Sequence, residues 1–396
     1  MKKRVHNFSA GPATLPVEIL EAVESELYDY EGIGSSIIEI SHRDQVFKEV
    51  ANKAEISVRK LLSIPEDYDV IFMQGGATLQ FSLIPMNFAH LGEISNFADV
   101  GSWSAKAIKE ASKICNVNIC TSSKEKNYTN IDLISDWNIK ENSALVHYCK
   151  NETIQGIRIT EEPKFSSYSF VDMSSCLFSE DIDVTKYDFI YACAQKNFGP
   201  SGITLVIAKK ELLEKSNPDL PNILKYDAHA NEGSMLNTPN TFGWYVAGKM
   251  FDWYLENGGV AEMEKQSIAK TAMLYDLIDK SDFNLNPENP EQRTNNNQEF
   301  TIVNSELEKD FIDNIGNINS QELSVVVLRS VEILHNFFVE SKAAQALILL
   351  NTTCLPVPKE SFNKLSASVQ TFVEKNINLP EDPEKDELGI IMQMKV

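Results

Sequence analysis

Two features of the chain predict an α/β fold with a largely parallel sheet. From about residue 43 to 276 short apolar runs alternate with helical stretches, the pattern left by strands joined through crossover helices. The 396 residues also exceed what one small core needs and suit two domains sharing an interface, at roughly 150 residues per domain. Candidate strands fall at 69–72, 144–148, 169–172, 188–193 and 203–209. Between them Val50, Ala54, Val58, Leu61 and Leu62 recur at helical spacing, as do apolar positions over 241–255, so both stripes are expected to face the core. Gly258-Gly259 breaks the second stretch, and a helix starting near Val260 is expected to carry the chain towards a second domain. The segment 284–298, rich in Asn, Pro, Glu and Gln, reads as a loop ahead of a smaller C-terminal domain. The acidic run 381–387, interrupted by Pro383, reads as a solvated tail.

Hydrophobic residues at 43% and charged residues at 23% are ordinary for a globular enzyme, and no window approaches the roughly 18 apolar residues of a membrane span. Met1-Lys2-Lys3-Arg4 is basic, but Val5-His6-Asn7 follows where a secretory signal would begin its apolar run. Cysteines at 115, 120, 149, 176, 193 and 354 form no CxxC pair, so neither a zinc site nor a disulfide framework is expected, and a cytoplasmic location fits. A net charge of -21 repels nucleic acid and anionic lipid. Any bound anion must be caught locally, and only six arginines, at 4, 43, 59, 158, 293 and 329, are available for forked recognition of a carboxylate or phosphate.

The most informative segment is Tyr191-Ala192-Cys193-Ala194-Gln195-Lys196-Asn197-Phe198-Gly199-Pro200-Ser201-Gly202. An apolar strand ends at a lysine, and a Gly/Pro/Ser turn precedes the next strand. Most lysines are solvated surface charges. One placed at such a junction is held rigidly in a partly dry site, where a neutral amine can attack a carbonyl. Cofactor chemistry of this kind needs a carboxylate beside a pyridine nitrogen, and Asp172, ending the apolar run Ser169-Phe170-Val171, is the candidate. It would stand at the carboxyl edge of the sheet, where α/β ligand crevices open. An N-cap aspartate without catalytic work would look similar. Gly75-Gly76-Ala77-Thr78 follows a strand and opens a helix, a place where backbone N–H groups can hold a phosphate. Neither GxGxxG nor GxxxxGK[ST] occurs, which argues against a dinucleotide-binding or P-loop enzyme.

Taken together these segments resemble the phosphoserine aminotransferases, class-V members of the aspartate-aminotransferase-like superfamily. The likeness runs from Asn7 to about Phe311. It rests on Asn7-Phe8-Ser9-Ala10-Gly11-Pro12, Ser41-His42-Arg43, the Gln74-to-Phe81 turn, Gly101-Ser102-Trp103-Ser104, the His147-to-Ile154 run, Asp172-Met173-Ser174-Ser175, the lysine segment and Asn237-Thr238-Pro239, all in the family's order. The resemblance implies a large domain over 16–260 with a mainly parallel seven-stranded sheet flanked by helices. It also implies a smaller α+β domain from 1–15 and 261–380, followed by the tail 381–396.

By the same resemblance pyridoxal 5'-phosphate is the cofactor and Lys196 the Schiff-base lysine. Asp172 would pair with the pyridinium nitrogen, Trp103 would stack on the ring, and Thr153 would hydrogen-bond the ring oxygen. Ala77, Thr78, Ser174 and Gln195 would hold the phosphate, with Asn237 and Thr238 donated by the second subunit of a homodimer. His42 and Arg43 would reach the substrate's anionic end, also across that interface. The implied reaction is transamination between L-glutamate and 3-phosphohydroxypyruvate in serine biosynthesis, giving 2-oxoglutarate and O-phospho-L-serine.

The chain departs from the family over about 312–354. The family's C-terminal motif, whose histidine and two arginines grip the substrate's phosphate and carboxylates, is absent, and Leu328-Arg329-Ser330-Val331 is its nearest relic. Arg329 is therefore the remaining candidate substrate contact there. Two alternatives follow from the departure: an aminotransferase with another substrate, and a cofactor-binding paralogue with impaired turnover.

Overall fold

The computed structural model describes residues 11–162, 164–279, 284–296 and 299–301. One compact unit comprises Gly11–Glu264 and Pro287–Thr294. Its elements in chain order are α1 (Val17–Glu26), α2 (Gln45–Leu61), β1 (Tyr68–Met73), α3 (Gly76–Phe88), β2 (Ile94–Asp99), α4 (Ser102–Ala111) and β3 (Val117–Ser122). There follow β4 (Ser143–Cys149), β5 (Asn151–Glu152), β6 (Ile157–Arg158), β7 (Tyr168–Asp172), β8 (Phe189–Cys193) and β9 (Thr204–Lys209). The helices α5 (Lys210–Leu213), α6 (Tyr226–Asn231) and α7 (Thr241–Glu256) complete it, and α8 (Gly259–Asp279) leads out of it. In the second unit β10 (Asn284–Asn286) pairs antiparallel with β11 (Glu299–Thr301).

Seven strands form one sheet in the order β1-β9-β8-β7-β4-β2-β3. The pairs β8/β7, β7/β4, β4/β2 and β2/β3 are parallel, whereas β9 runs antiparallel to both β8 and β1. The mainly parallel sheet read from the sequence is thus present. All the expected strands appear within a residue or so, and the two expected stripes lie on α2 and α7. One expectation needs correction: 284–298 is not loop throughout, since Asn284–Asn286 pairs its backbone with β11.

Two apolar layers enclose the sheet, as helices on both faces of a parallel sheet require. On one face Val70, Phe72, Val146, Tyr148, Val171 and Ile190 pack with Phe47 and Ala54 of α2 and Trp244 and Phe251 of α7. On the other Ile71, Phe97, Leu145, Phe170, Phe189 and Tyr191 pack with Phe81 and Phe88 of α3, Ala107 of α4 and Tyr226 of α6. The alternation of neighbours such as Val70 and Ile71 between the layers is the two-residue period of the pleat. The starts of α2 and α7 are fixed locally: the Asp44 carboxylate accepts from Val46 N at 2.9 Å, and Asn240 Oδ1 accepts from Gly243 N at 2.9 Å.

His147 of β4 lies inside the second layer, 5.0 Å from the Phe97 ring and 6.4 Å from that of Phe81. Burial lowers its pKa from 6.5 to about 3. The unfolded chain therefore binds a proton at this residue across a window in which the folded chain refuses it. Stability is full above about pH 6.5 and falls as the pH drops towards about 3, by about 1.4 kcal/mol per pH unit within that window. Urea unfolding at a series of pH values should show this slope, and His147→Phe should remove it. An unchanged slope in the variant would assign the acid sensitivity to other groups.

Candidate active site

The site is built at one edge of the sheet, where β1, β2, β4, β7 and β8 end. Strand β8 is buried along its length and passes into a tight turn at Ala194–Lys196 before the chain returns along β9. This turn holds Lys196 half-buried, and Lys196 Nζ donates a hydrogen bond to Thr153 Oγ1. The same Nζ stands 5.2 Å from the centre of the Trp103 ring. Behind it the Gln195 carbonyl accepts from Ala13 N at 2.7 Å, so the N-terminal segment at Gly11 packs against the lysine stem.

Asp172 ends β7, paired in register with Cys149 of β4 and Tyr191 of β8, and is 6% exposed. No helix follows it; residues 174–179 form a turn, so the helix-cap reading of this aspartate does not apply. Its Oδ1 accepts from Ser174 N at 2.8 Å, and the Ser174 and Tyr191 side chains also favour its charged form. Burial pushes the Asp172 carboxyl pKa up, while Lys196 and these hydrogen bonds oppose that shift. Ser174 Oγ in turn accepts from Cys193 N at 3.2 Å, tying the ends of β7 and β8 together. A buried carboxylate so arranged can hold a proton on a heteroaromatic nitrogen.

Helix α3 brings an anion site to the same edge. Gly75 (φ 91°) and Gly76 (φ 65°) turn the chain from β1 into the helix through left-handed conformations, and a Cβ at Gly75 would fall 2.4 Å from Leu79 Cδ2. No side chain caps this helix, so its first N–H groups and the positive end of its dipole face the site edge. Ala77 N–H lies against the Cys193 thiol, which places the α3 start beside the end of β8.

Helix α4 contrasts with α3, because its start is closed by the protein. Glu152, fully buried, accepts from Trp103 N at 3.0 Å and from Ser104 N at 2.7 Å, and Gln155 Oε1 accepts from Ser102 N at 2.9 Å. Burial raises the Glu152 pKa, and the amides of Ser104 and Trp103 oppose the rise. Gly101 admits the carboxylate, since a Cβ there would sit 2.4 Å from Glu152 Cδ. Sequence reasoning passed over Glu152 and Gln155 as functional residues; the available signal was an acid beside Thr153, just past a buried strand. Glu152 fixes the backbone that carries Trp103, and Thr153 follows it directly.

Lys196, Thr153, Asp172, Trp103 and Ser174 are therefore brought together, with Ala77 and Gln195 against the same turn. Thr78 is the exposed next residue of α3. The Thr238 carbonyl accepts from Gln74 Nε2 at 3.2 Å, in the turn with Asn237 that precedes α7. His42 is buried with Nε2 unpartnered, and Arg43 is exposed; no hydrogen bond among the described residues joins either to Lys196. Arg329, the segment 312–354 and the tail 381–396 lie outside the described residues.

The family model described as aminotransferase class-V matches residues 5–322. The chain belongs to the class-V aminotransferases. A phosphoserine aminotransferase of Acinetobacter baylyi is 42% identical over 354 residues, covering 84% of this chain and 97% of that protein. The solved phosphoserine aminotransferase of Bacillus circulans subsp. alkalophilus superposes with a TM-score of 0.78 at 35% identity, covering 86% of this chain and 99% of the other. The PLP-bound phosphoserine aminotransferase of Trichomonas vaginalis gives a TM-score of 0.75 at 34% identity, covering 81% and 91%.

If Glu152 holds Trp103 in place, Glu152→Ala should cost about 1–3 kcal/mol for the lost cap and the buried amides left unpaired. The part of the tryptophan emission that disappears in Trp103→Phe should move to longer wavelength. Glu152→Gln, which keeps an acceptor, should do less of both. An Ala variant with an unshifted Trp103 component would separate Glu152 from Trp103.

Proposed function

We propose that this chain transfers the amino group of L-glutamate to 3-phosphohydroxypyruvate, forming O-phospho-L-serine and 2-oxoglutarate, with pyridoxal 5'-phosphate as cofactor. One observation carries the reading: Lys196, hydrogen-bonded to Thr153 beneath Trp103, stands beside a buried aspartate at the sheet edge of a class-V aminotransferase. The residues present suit the cofactor. Its aldehyde carbon needs a lysine, its ring nitrogen a carboxylate, its ring faces an aromatic plane and its phosphate a helix start that no side chain caps. Lys196, Asp172, Trp103 and the α3 start with Ala77 and Thr78 supply these, aided by Ser174 and Gln195.

When bound, the cofactor's ring takes up the electron pair left on the substrate's Cα, which makes that carbon acidic enough for a side-chain base. Lys196 Nζ is that base, and Thr153 Oγ1 orients it. Asp172 holds a proton at the ring nitrogen, and Trp103 keeps water from one face. Two half-reactions, one per amino donor, give ping-pong kinetics.

The active form is a cytoplasmic homodimer in which Asn237 and Thr238 complete the neighbouring phosphate site and His42 and Arg43 reach the neighbouring substrate. Supporting this, His42 Nε2 is buried without a partner, and the adjoining segment exposes Leu27 at 43%, Tyr28 at 92% and Ile38 at 54%. Large exposed apolar side chains along one segment suit a subunit contact. The domain limits proposed for the whole chain are 16–260 for the large domain and 1–15 with 261–380 for the small one, where Arg329 is a remaining substrate contact.

Single-turnover reactions with glutamate and with phosphoserine test the substrate pair, and both should proceed. Turnover of glutamate but not phosphoserine would favour altered specificity; neither would favour the impaired paralogue. Arg43→Ala should raise the Michaelis constant for the phosphorylated substrate on the order of tenfold, with a smaller effect on turnover number. When Lys196→Ala homodimers, which are inactive, exchange subunits with Arg43→Ala homodimers, which are weak at substrate well below their Michaelis constant, each mixed dimer holds one intact site, and activity at that low substrate level should return towards half of the normal value. Demonstrated exchange without recovery would contradict the shared site.

A further inference from the structure

We propose that Tyr191, oriented by His147, is a positioning residue for Asp172: its hydroxyl donates to the Asp172 carboxylate and fixes that group as the ionised partner of the cofactor's ring nitrogen. The inference rests on the cofactor reading above. Three neighbouring strands supply the chain of groups. Asp172 of β7 lies in register with Tyr191 of β8 and Cys149 of β4. His147, two residues before Cys149, shares its face. His147 Nε2 stands 2.8 Å from Tyr191 Oη, with the rings 6.0 Å apart and 26° from parallel. Tyr191 and Asp172 are cross-strand neighbours in register on the face that also carries Phe170, and the Tyr191 side chain favours the charged form of Asp172.

The protons can be assigned by inventory. An ionised Asp172 can only accept, so the single hydroxyl proton of Tyr191 points to it. The Tyr191 oxygen then accepts from His147, and Nε2 carries the imidazole proton. Nδ1 is left as a bare lone pair, in agreement with its burial without a partner. The reverse arrangement would bury an Nδ1–H without an acceptor and turn an oxygen lone pair on the carboxylate, a loss of about 1–3 kcal/mol for the orphaned donor alone.

The chain lies in a dry layer. Tyr191 is 0% and His147 1% exposed, and Phe81 stands edge-on to both rings at 6.5 and 6.4 Å. Burial keeps the imidazole neutral, so His147 acts as a fixed donor and takes no proton from the reaction. Around Asp172, Ser174 N, Ser174 Oγ and Tyr191 Oη oppose the burial that favours its neutral form. Without the Tyr191 donor the balance between carboxylate with pyridinium and carboxylic acid with pyridine moves towards the uncharged pair. The cofactor ring would then be the weaker electron sink.

The test loads the full-length protein with pyridoxal phosphate labelled with nitrogen-15 in the ring and follows the N1 resonance. It should report a protonated ring nitrogen in the unaltered protein and move towards neutral pyridine in Tyr191→Phe. The single-turnover rate with glutamate should fall on the order of tenfold, as expected for losing one hydrogen bond to a charged group. His147→Leu should move N1 in the same direction, His147→Gln, which keeps an N–H donor, should restore it, and Tyr191→Phe with His147→Leu should go no further than Tyr191→Phe alone. An N1 resonance unmoved in folded, loaded Tyr191→Phe overturns the inference, and additive shifts in the double variant remove His147 from it. Should Tyr191→Phe fail to fold, the comparison of His147→Leu with His147→Gln decides by the same readout. An unaltered chain that takes up no labelled cofactor would instead overturn the functional reading beneath.

Discussion

Keeping a carboxylate ionised with 6% of its surface exposed is costly, and Asp172 is the group around which the site is arranged. Its position is set by the sheet: it closes β7 with a buried strand on either side, so solvent cannot reach it from the flanks. The cost is offset locally, by Lys196 on the adjacent strand end, by the Ser174 N–H donor and by the Tyr191 side chain in register beside it. The antiparallel return of β9 matters here. It lets β8 end in a tight turn, Ala194–Lys196, instead of a long crossover, and so holds the lysine at a fixed distance from the strand edge.

Two helix starts face the same edge and are treated differently. The α4 start is satisfied by Glu152 and Gln155, which removes it as an anion site and makes it a rigid mount for Trp103. The α3 start has no side-chain cap and is reached through two left-handed glycines that themselves carry no side chain. An anion arriving at this edge therefore finds one unfilled helix terminus, despite a chain charge of -21. Local dipoles decide the matter because they act over a few ångströms, whereas the net charge is spread and screened.

Much of this was legible in the sequence because the strands leading to Asp172 and Lys196 are short, mostly apolar runs. Strands β2 and β3 were not read. Buried Ser95 and Asn96 interrupt the apolar pattern of β2, and Asn96 is satisfied only in three dimensions, its Oδ1 accepting from Asn118 Nδ2 at 2.8 Å and Lys140 N at 3.1 Å. The helix-cap alternative for Asp172 could not be dismissed from sequence, since an aspartate bonding to the second residue on opens either a helix or a turn. The role of Glu152 could not be read from its position beside Thr153 alone, because its partners, Trp103 and Ser104, lie about fifty residues earlier. The family resemblance placed His42, Arg43, Asn237 and Thr238 in roles that require a second subunit, and no pattern within one chain carries that information.

The central claim is that Lys196, among all the lysines of the chain, bonds to the cofactor. Reducing the loaded protein with borohydride fixes the cofactor where it is attached, and mass mapping of the resulting peptides locates it. The label should appear in the peptide containing Ala194-Gln195-Lys196-Asn197 and in no other. The reduced cofactor on a different lysine, or a Lys196→Ala protein that is labelled as fully as the unaltered chain, would contradict it.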